Sequence, residues 1–526
     1  MAESMSQERI VAFLSDPANW PEEVREIAHV QTHISHLFLG RALALKMKKA
    51  VKLPYLDFST LALRARYCRR ELEVNAAFSP ELYLGLSRVA RMQGGALMLD
   101  PPDNAGETVE WLVRMRRFKE ADILARRFRA DDIPPGLPAA LARVVCAAHR
   151  KAEVRQVARP QEMFARVLDE QIAPSFAAHE GILRDFRPDA LLRSLRAFFA
   201  ARARRLKARA RAGFVRRCHG DLHLGNIVLV DGAPRLFDAI EFDEDLATID
   251  VLYDLAFLLM DMVHRGHKPR ANEVMNTWLA LCDDERHHES VDLLAPMMAL
   301  RALIRAMVEL DLADQLPPEE AAPRHERARA YLRSARIMLE PAEPLLVAVG
   351  GLSGSGKTTL ARRLAGALAP AAGAVHLRSD VERKVMAGVQ ELTTRLPEEA
   401  YTPAMSAKVY ARLNARAAAV LRAGWPVVVD AVFGREEERQ AIEEVARAAG
   451  ARFIGLWLDA PLEVLMERVR ARSGDASDAT EEVVRLQARF TAGKKVGWAK
   501  VAADGGAEDT WLRALRLLTR AHANLA

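Results

Sequence analysis

The sequence predicts a multidomain protein of the α/β and α+β classes, and three observations support this. After residue 344, four almost wholly apolar strands recur with helices between them, as a parallel sheet covered on both faces requires. Before about residue 117, short runs of alternating polar and apolar side chains favour strands with one buried face. Between these regions the spacing of the apolar residues is mainly helical.

Composition limits the classes of protein to consider. The chain has 526 residues, 50 % of them hydrophobic and 28 % charged, which favours several folded domains over disorder. The net charge of +6 is small for this length and does not by itself predict a nucleic-acid ligand. We expect no membrane span, because no apolar run reaches 18 residues, and no signal peptide. The four cysteines form no CxxC pair, which is weak support for zinc or disulfides and favours a reduced, cytoplasmic setting.

Local patterns place the elements. Residues from about 31 to 52 predict a hairpin-like pair of strands, and residues 60–76 predict a helix. The segments "ELYLGLSRV" and "TVEWLVRMRR" predict two further strands. Farther along, "FVRRCHGD" and "NIVLVDGAPRLFDAI" are strand candidates, and Asp231-Gly232 in the second predicts a tight turn. The segment "PAEP" at 341–344 is the clearest linker.

The stretch "GLSGSGKT" matches the phosphate-loop pattern G-x-x-x-x-G-K-[ST] in full, between a strand and a helix. Glycines let backbone N–H groups turn toward phosphate oxygens, and the helix N-terminus adds partial positive charge. Lys357 is expected to reach the β- and γ-phosphates, and the Thr358 hydroxyl to ligate Mg²⁺. The predicted nucleotide-binding residues are Gly351, Leu352, Ser353, Gly354, Ser355, Gly356, Lys357, Thr358 and Thr359.

Polar residues follow the next strands of this region. Asp380 and Arg383 lie just past "AVHLRSD", and Asp430 ends "VVVDAVF". Ligands of open parallel sheets bind at the carboxyl ends of strands, so these residues are candidates for an acceptor site. Helix N-cap and turn roles remain the alternatives for the two aspartates.

The segment "MERVRARSGDASDAT" adds basic residues that a movable lid would use to balance phosphoryl charge. They are Arg468, Arg470 and Arg472, and a solvated helix face is the alternative. The whole arrangement resembles small-molecule P-loop kinases of the gluconate kinase, adenylylsulfate kinase and zeta-toxin type. That resemblance implies that Asp380 is a base or hydroxyl ligand, Arg383 an acceptor contact, and Asp430 a metal-water or substrate ligand.

A second phosphotransfer motif lies at 219–226, "HGDLHLGN". Asp221 and Asn226 have the H-x-D-x-x-x-x-N spacing of a catalytic loop, and Asp238 follows after the predicted hairpin. The motif, with "FDAIEFD" after it, resembles the aminoglycoside phosphotransferase and choline kinase group, which shares the protein-kinase fold. The resemblance implies that Asp221 is the catalytic base and that Asn226 and Asp238 are Mg²⁺ ligands. A structural polar turn is the alternative, and His219 is expected to hold the loop.

The same fold needs a strand lysine paired with a helix glutamate. Lys46 is the best match in "LALKMKK", with Lys48 and Lys49 beside it, and Glu71 is its preferred partner, with Glu73 as the alternative. "QTHISHLFLG" stands where a G-x-G-x-x-G loop would precede the lysine, and its Thr32, His33 and Ser35 are candidates to cap the phosphates instead. We expect Met115 to lie where a hinge touches adenine.

Together the resemblances imply two nucleotide sites in one chain, in a bacterial type of fused phosphotransferase and ATP-binding protein. A protein-kinase-like bilobal domain is predicted with its N-lobe at 1–116 and a helical C-lobe at 117–338. A linker at 339–344 and a P-loop domain at 345–526 follow. The predicted function is Mg-ATP-dependent phosphoryl transfer to hydroxyls of small molecules, with no nucleic-acid partner and no membrane. A nucleotide-dependent regulatory protein and a kinase acting on macromolecules are the alternatives.

Overall fold

The computed structural model describes residues 7–53, 56–102, 105–389, 391–471, 477–491 and 496–523. The strands among them are β1 (Ala28–Gln31), β2 (Ser35–Leu39), β3 (Leu43–Lys48), β4 (Lys52–Leu53), β5 (Leu56–Asp57), β6 (Tyr83–Arg91), β7 (Leu97–Leu99), β8 (Glu107–Arg116), β9 (Val215–Arg217), β10 (Ile227–Val230), β11 (Ala233–Leu236), β12 (Thr248–Asp250), β13 (Leu345–Gly351), β14 (Val375–Arg378), β15 (Val427–Asp430), β16 (Arg452–Asp459) and β17 (Ala499–Ala502).

The α-helices are α1 (Gln7–Ser15), α2 (Leu61–Ala76), α3 (Leu124–Arg129), α4 (Leu137–Lys151), α5 (Pro160–Arg166), α6 (Ala173–Ala178), α7 (Glu180–Leu183), α8 (Pro188–Ala201), α9 (Ala203–Arg211), α10 (Glu244–Ala247), α11 (Val251–His264), α12 (Lys268–Cys282), α13 (Glu285–His288), α14 (Leu294–Ala313), α15 (Pro318–Met338), α16 (Lys357–Ala367), α17 (Ser379–Met386), α18 (Pro403–Arg422), α19 (Glu436–Ala448), α20 (Leu462–Arg470), α21 (Glu481–Thr491) and α22 (Ala507–Ala523). Within the described residues no helix is both long and apolar enough to cross a bilayer.

Two main sheets define the fold. The N-terminal sheet has six antiparallel strands in the order β1-β2-β3-β8-β6-β7. The C-terminal sheet has five parallel strands in the order β14-β15-β13-β16-β17. The predicted fold class, an α+β region followed by an α/β domain with a parallel sheet flanked by helices, is confirmed. The sequence reasoning missed the edge strand β17, which is short and carries mostly exposed residues.

The chain divides into two compact units. The first contains residues 1–140, 151–157 and 210–258, and therefore the antiparallel sheet and the "HGDLHLGN" loop. The second contains residues 141–150, 158–209 and 259–526, so that helices α12 to α15 belong to the same unit as the parallel sheet. The sequence-based domain limits stay a prediction.

Local chemistry explains where the site-bearing elements begin and turn. The Thr60 hydroxyl accepts a hydrogen bond from Leu63 N at 3.2 Å and so caps α2, the helix that carries Glu71. Asp231 and Gly232 have φ values of 51° and 79°, and they join β10 to β11 with Val230 opposite Ala233. The predicted two-residue turn is therefore confirmed, and it places Asp238 just after the hairpin.

The parallel sheet is apolar on both faces, as its sequence predicts. In β13 all residues after Leu345 are buried, and Val347 and Val349 pack with Leu360 and Leu364 of α16. At the carboxyl edge of this sheet, polar residues in the loop after β13 and at the ends of β14 and β15 line a cavity that is accessible to ligands. The polar residues there form the second candidate site.

Candidate active sites

The "HGDLHLGN" loop of the first unit is fixed by buried groups. Asp254 of α11 accepts hydrogen bonds from His219 N at 3.3 Å and Gly220 N at 2.9 Å. The His219 ring is buried and contacts the Phe237 carbonyl through Nε2 at 3.0 Å, and burial lowers the pKa of this imidazole. The histidine therefore lies where the sequence reasoning expected it, as a support of the loop.

Asp221 and Asn226 are brought together in this loop. Asn226 Nδ2 donates to the Asp221 carbonyl at 3.0 Å and to its Oδ2 at 2.9 Å. The Asp221 side chain is 37 % exposed, and His223 Nε2 lies 3.4 Å from its carboxylate. A carboxylate that is held by an amide and still open to solvent has the placement that a general base needs.

Asp238 follows β11 in the left-handed region, with φ of 61°. Its backbone N–H donates to Tyr83 Oη at 2.9 Å, and its carboxylate lies 2.5 Å from Lys46 Nζ. Aspartate tolerates this backbone conformation better than most residues. The turn directs the half-exposed Asp238 side chain toward β3.

Lys46, Glu71 and Asp238 form one charged cluster with Lys48 and Glu241. Lys46 Nζ lies 2.8 Å from Glu71 Oε1, and Lys48 Nζ lies 2.7 Å from Glu71 Oε2. Lys48 also pairs with Glu241. Three carboxyl groups thus face two ammonium groups, and Asp238 is the most exposed of the three carboxyl groups.

Glu71 and Lys46 form the central pair of this cluster, and the neighbouring charges keep both of them ionised. Burial opposes ionisation of Glu71, but Lys46 and Lys48 reverse that effect and lower its pKa to about 2. For Lys46, burial acts to lower the pKa, and Asp238 and Glu71 raise it well above the usual range. Sequence reasoning offered Lys48 only as a neighbour of Lys46, and Glu73 instead pairs with Arg70 at 3.3 Å near the surface.

Met115 and the segment "QTHISHLFLG" are the other parts of the chain predicted for this site. Met115 is at the end of β8, opposite Ala44 and Tyr83, with a buried side chain in the apolar cluster of this sheet. Between β1 and β2 a tight turn is closed by Thr32 N, which donates to the Ser35 carbonyl at 2.8 Å. Contact of these segments with a nucleotide stays a prediction.

The phosphate loop of the second unit runs from the end of β13 into α16. Gly351, Gly354 and Gly356 have φ values of 140°, 85° and 87°. A Cβ on Gly354 would lie 2.5 Å from the Leu465 carbonyl, so the loop requires glycine there for space as well as conformation. Lys357 Nζ donates to the Leu352 carbonyl at 2.9 Å, across the loop it belongs to.

Thr358, Asp430, His376 and Arg378 meet beside this loop. The Thr358 hydroxyl donates to Asp430 Oδ2 at 2.6 Å, and Arg378 contacts the same hydroxyl at 3.4 Å. Burial acts to raise the pKa of Asp430, but His376, Arg378 and Lys357 reverse this and lower it to about 2. Sequence reasoning missed Arg378, although it immediately ends β14 and precedes the predicted site residues.

Asp380 and Arg383 lie on α17, which starts directly after β14. Burial and the nearby Asp430 raise the pKa of Asp380, while Arg378 and Lys357 oppose the shift. Arg383 donates to the Ala400 carbonyl at 2.6 Å and lies over the Tyr401 ring, 4.9 Å from its centre. The structure thus places both residues at the mouth of the phosphate loop.

The predicted lid arginines separate into different environments. Arg468 of α20 donates to the Ala503 and Gly505 carbonyls at 2.7 and 2.6 Å, so it holds the segment after β17. Arg470 pairs with Glu481. Arg472 lies outside the described residues.

A cavity of about 2290 Å³ in the second unit is lined by Thr358, Asp380, Arg383, Asp430 and Arg468. It is several times larger than a common small-molecule pocket. Its basic lining residues are Lys357, Arg378, Arg383, Arg395, Arg435, Arg468, Arg485 and Arg489. Lys357, Arg383 and Arg468 were predicted from local motifs, whereas the other five belong to no motif and reach the cavity only through the fold.

The oxygen atoms at both candidate sites fit a hard divalent cation. The first site offers Asp238 with Asn226, and the second offers Thr358 with Asp430. Carboxylate, amide and hydroxyl oxygens are the ligand types that Mg²⁺ takes in phosphotransfer sites.

Comparisons with known proteins find one family over part of the chain and relatives over most of it. The model of a family described as an AAA domain matches residues 346–492. Proteins called uncharacterized from Mycobacterium bovis and Mycobacterium tuberculosis are 28 % identical over 459 residues, covering 86 % of this chain and 88 % of theirs. The AAA-domain match, with the architecture above, confirms a P-loop domain after the kinase-like region.

Two solved structures are similar to parts of this chain. A gluconokinase from Sinorhizobium meliloti is 23 % identical, with 35 % of this chain and 97 % of that chain covered and a TM-score of 0.26. A choline kinase from Cryptosporidium parvum is 11 % identical, with 63 % of this chain and 95 % of that chain covered and a TM-score of 0.39.

Proposed function

We propose that the chain is an ATP-dependent phosphotransferase with two nucleotide sites. Each site transfers the γ-phosphoryl group of Mg-ATP to a hydroxyl of a small-molecule acceptor. We further propose that it works in the cytoplasm, without a nucleic-acid or membrane partner. The observation that carries the proposal is the position of Lys46 Nζ, which contacts Glu71 at 2.8 Å and Asp238 at 2.5 Å, although Asp238 is 192 residues away.

In the first site each residue has a distinct task. Asp221 accepts the proton of the attacking hydroxyl, and Asn226 keeps its carboxylate oriented through the 2.9 Å contact. Lys46 turns from Asp238 toward the phosphates, while Glu71 stays buried and fixes the position of the ammonium group. Asn226 and Asp238 would hold Mg²⁺, which would supply positive charge beside the phosphate oxygens when bound.

The second site uses the phosphate loop. Backbone N–H groups of the loop and the N-terminus of α16 bind the phosphates, and Lys357 balances the transferring group. Thr358 and Asp430 would hold the metal. Asp380 faces the same space with a raised pKa, which suits a group that takes up a proton from an acceptor hydroxyl. The cavity supplies room for that acceptor beside the nucleotide.

The test is transfer of ³²P from γ-labelled ATP into a pool of hydroxyl metabolites. Asp221→Asn is expected to remove one set of products, and Lys357→Ala the other, each by about 10²-fold or more. Asp231→Asn in the exposed β10–β11 turn and Lys408→Ala on the exposed face of α18 are the matched controls. If neither active-site variant changes the products and only slow hydrolysis is seen, the proposal fails.

A further inference from the structure

Two cysteines that lie 136 positions apart in the sequence meet in the second unit. Cys146 Sγ and Cys282 Sγ are 2.8 Å apart. Cys146 lies in α4 and is 2 % exposed, while Cys282 is the last residue of α12 and is partly exposed. A disulfide needs a separation of about 2.05 Å, so a small movement of the side chains would join them.

The surroundings of this pair favour thiol chemistry. The hydrogen bond from Cys282 lowers the pKa of Cys146 against the effect of burial, and Arg150 adds to this. Arg150 also donates to the Leu281 carbonyl, which fixes α4 against the end of α12. The other two cysteines differ, because burial raises the pKa of Cys68 to about 12 and that of Cys218 well above its usual value. Thiolates, not thiols, are the reactive form.

We propose that Cys146 and Cys282 are a redox site whose oxidation to a disulfide regulates the P-loop site. A peroxide is the oxidant: one thiolate attacks the O–O bond, which leaves a sulfenic acid and releases water after proton uptake. The second thiol attacks that sulfur, the S–S bond forms, and the hydroxyl leaves as a second water with the thiol proton. Two electrons pass from the sulfurs to the peroxide, and a dithiol reverses the reaction.

The position of the pair links it to α17, the helix that carries Asp380 and Arg383. Asp283 follows Cys282 and accepts a contact from Arg416 at 2.5 Å, and Arg416 also contacts Glu382 at 2.5 Å. Arg416 and Glu382 are 0 % and 2 % exposed, so this pair is buried, whereas the Asp283 side chain is 34 % exposed. Glu382 lies on α17 between Asp380 and Arg383. This link rests on the proposed function of that site.

The first measurement is a map of the disulfides after treatment of the full chain with hydrogen peroxide. Trypsin releases Cys146 in peptide 144–150 and Cys282 in peptide 271–286. We expect these two peptides to appear as one cross-linked species, two hydrogens lighter than their sum, which dithiothreitol separates. Cys68 and Cys218 serve as internal controls and stay reduced. If Cys146 and Cys282 remain unlinked while the buried controls react, the proposal is overturned.

The second measurement is ADP release by the Asp221→Asn protein, which leaves the P-loop site as the source of turnover. Oxidation is expected to change the Lys357-dependent rate at least twofold, dithiothreitol to restore it, and Cys282→Ser to abolish the response. An unchanged rate in a protein whose disulfide has formed overturns the regulatory proposal. Failure of the proposed function gives a different result, because Lys357→Ala would then leave ADP release by the reduced protein unaltered.

Discussion

The Thr358 hydroxyl donates a 2.6 Å hydrogen bond to Asp430, which joins the phosphate loop to the end of a neighbouring parallel strand. Asp430 is buried and has a pKa of about 2, so its carboxylate is charged at any pH at which the protein would be assayed. The pair therefore offers a hydroxyl and a permanent negative charge for a divalent cation. This arrangement leads to a first prediction.

Asp430→Asn keeps the shape of the side chain and removes its charge. We expect phosphoryl transfer at the P-loop site to fall by about 10²–10³-fold and the Mg²⁺ concentration at half-maximal rate to rise. Because burial and the Asp430 charge both raise the pKa of the proposed base Asp380, the acid limb of the variant's rate profile should lie at lower pH than that of the wild type. Initial rates across Mg²⁺ and pH provide the measurement, and an acid limb shifted to higher pH contradicts it.

Replacement of the two lysines of β3 should affect stability and turnover differently. Lys48→Met leaves Glu241 and one side of Glu71 buried without a cation, so we expect a loss of stability of about 3–5 kcal/mol. Lys46→Met should destabilise less, because Glu71 keeps Lys48 and Asp238 is 44 % exposed. It should instead abolish turnover at the first site.

Denaturant midpoints and ATP turnover of both variants test this contrast. Lys52→Met is the control, since that side chain is 74 % exposed on the neighbouring short strand β4. Equal destabilisation by the two β3 variants would show that the roles assigned to Lys46 and Lys48 are wrong.

Local motifs explain which parts of this molecule the sequence could predict. The strands before Gly351 and Asp430 and the turn at Asp231 follow from neighbouring residues, because apolar runs and left-handed turn residues act over a few positions. Lys48, Arg416 and the Cys146–Cys282 pair acquire their partners only through tertiary packing over long sequence separations. The sequence around them does not distinguish them from any other lysine in a strand, arginine in a helix or isolated cysteine.

Asp283 provides a test of how α17 is held. It caps α12 in the left-handed region with φ of 52°, where glycine is free of strain, and its carboxylate contacts Arg412 and Arg416. Asp283→Gly therefore keeps the backbone turn and removes the charge, and Asp283→Asn removes only the charge. We expect both to raise the acceptor KM at the P-loop site about 5–10-fold. In free energy this corresponds to the loss of roughly one charge-assisted hydrogen bond.

The KM for ATP should stay within about twofold in both variants, because the phosphate loop lies on β13 and α16 rather than on α17. Steady-state kinetics with an acceptor found by the ³²P experiment give both constants. Arg422→Ala, at the exposed end of α18, controls for a general effect on that helix. Parallel increases of both KM values would indicate a general loss of structure and contradict the positioning role.

His288 should make the second unit sensitive to acid. Its ring is 1 % exposed, and burial, with repulsion from Arg416, lowers its pKa from 6.5 to about 3. The folded protein therefore leaves this ring neutral between pH 6.5 and 3, while the unfolded chain takes up a proton there. Stability contributed by the neutral ring is complete above pH 6.5 and is lost as the pH falls through that window.

Replacement by a group that does not titrate should reduce this dependence. We expect His288→Gln to lower the melting temperature at pH 7.5, because a buried packed ring is lost. Between pH 7.5 and 5 the melting temperature of the variant should fall less than that of the wild type. The difference corresponds to about one proton fewer taken up on unfolding. Thermal melts at several pH values measure it, with His33→Gln in the exposed β1–β2 turn as the matched control. Identical pH slopes for the wild type and His288→Gln would mean that another buried group controls acid unfolding, because removing one proton-binding site from the unfolded chain must otherwise flatten the slope.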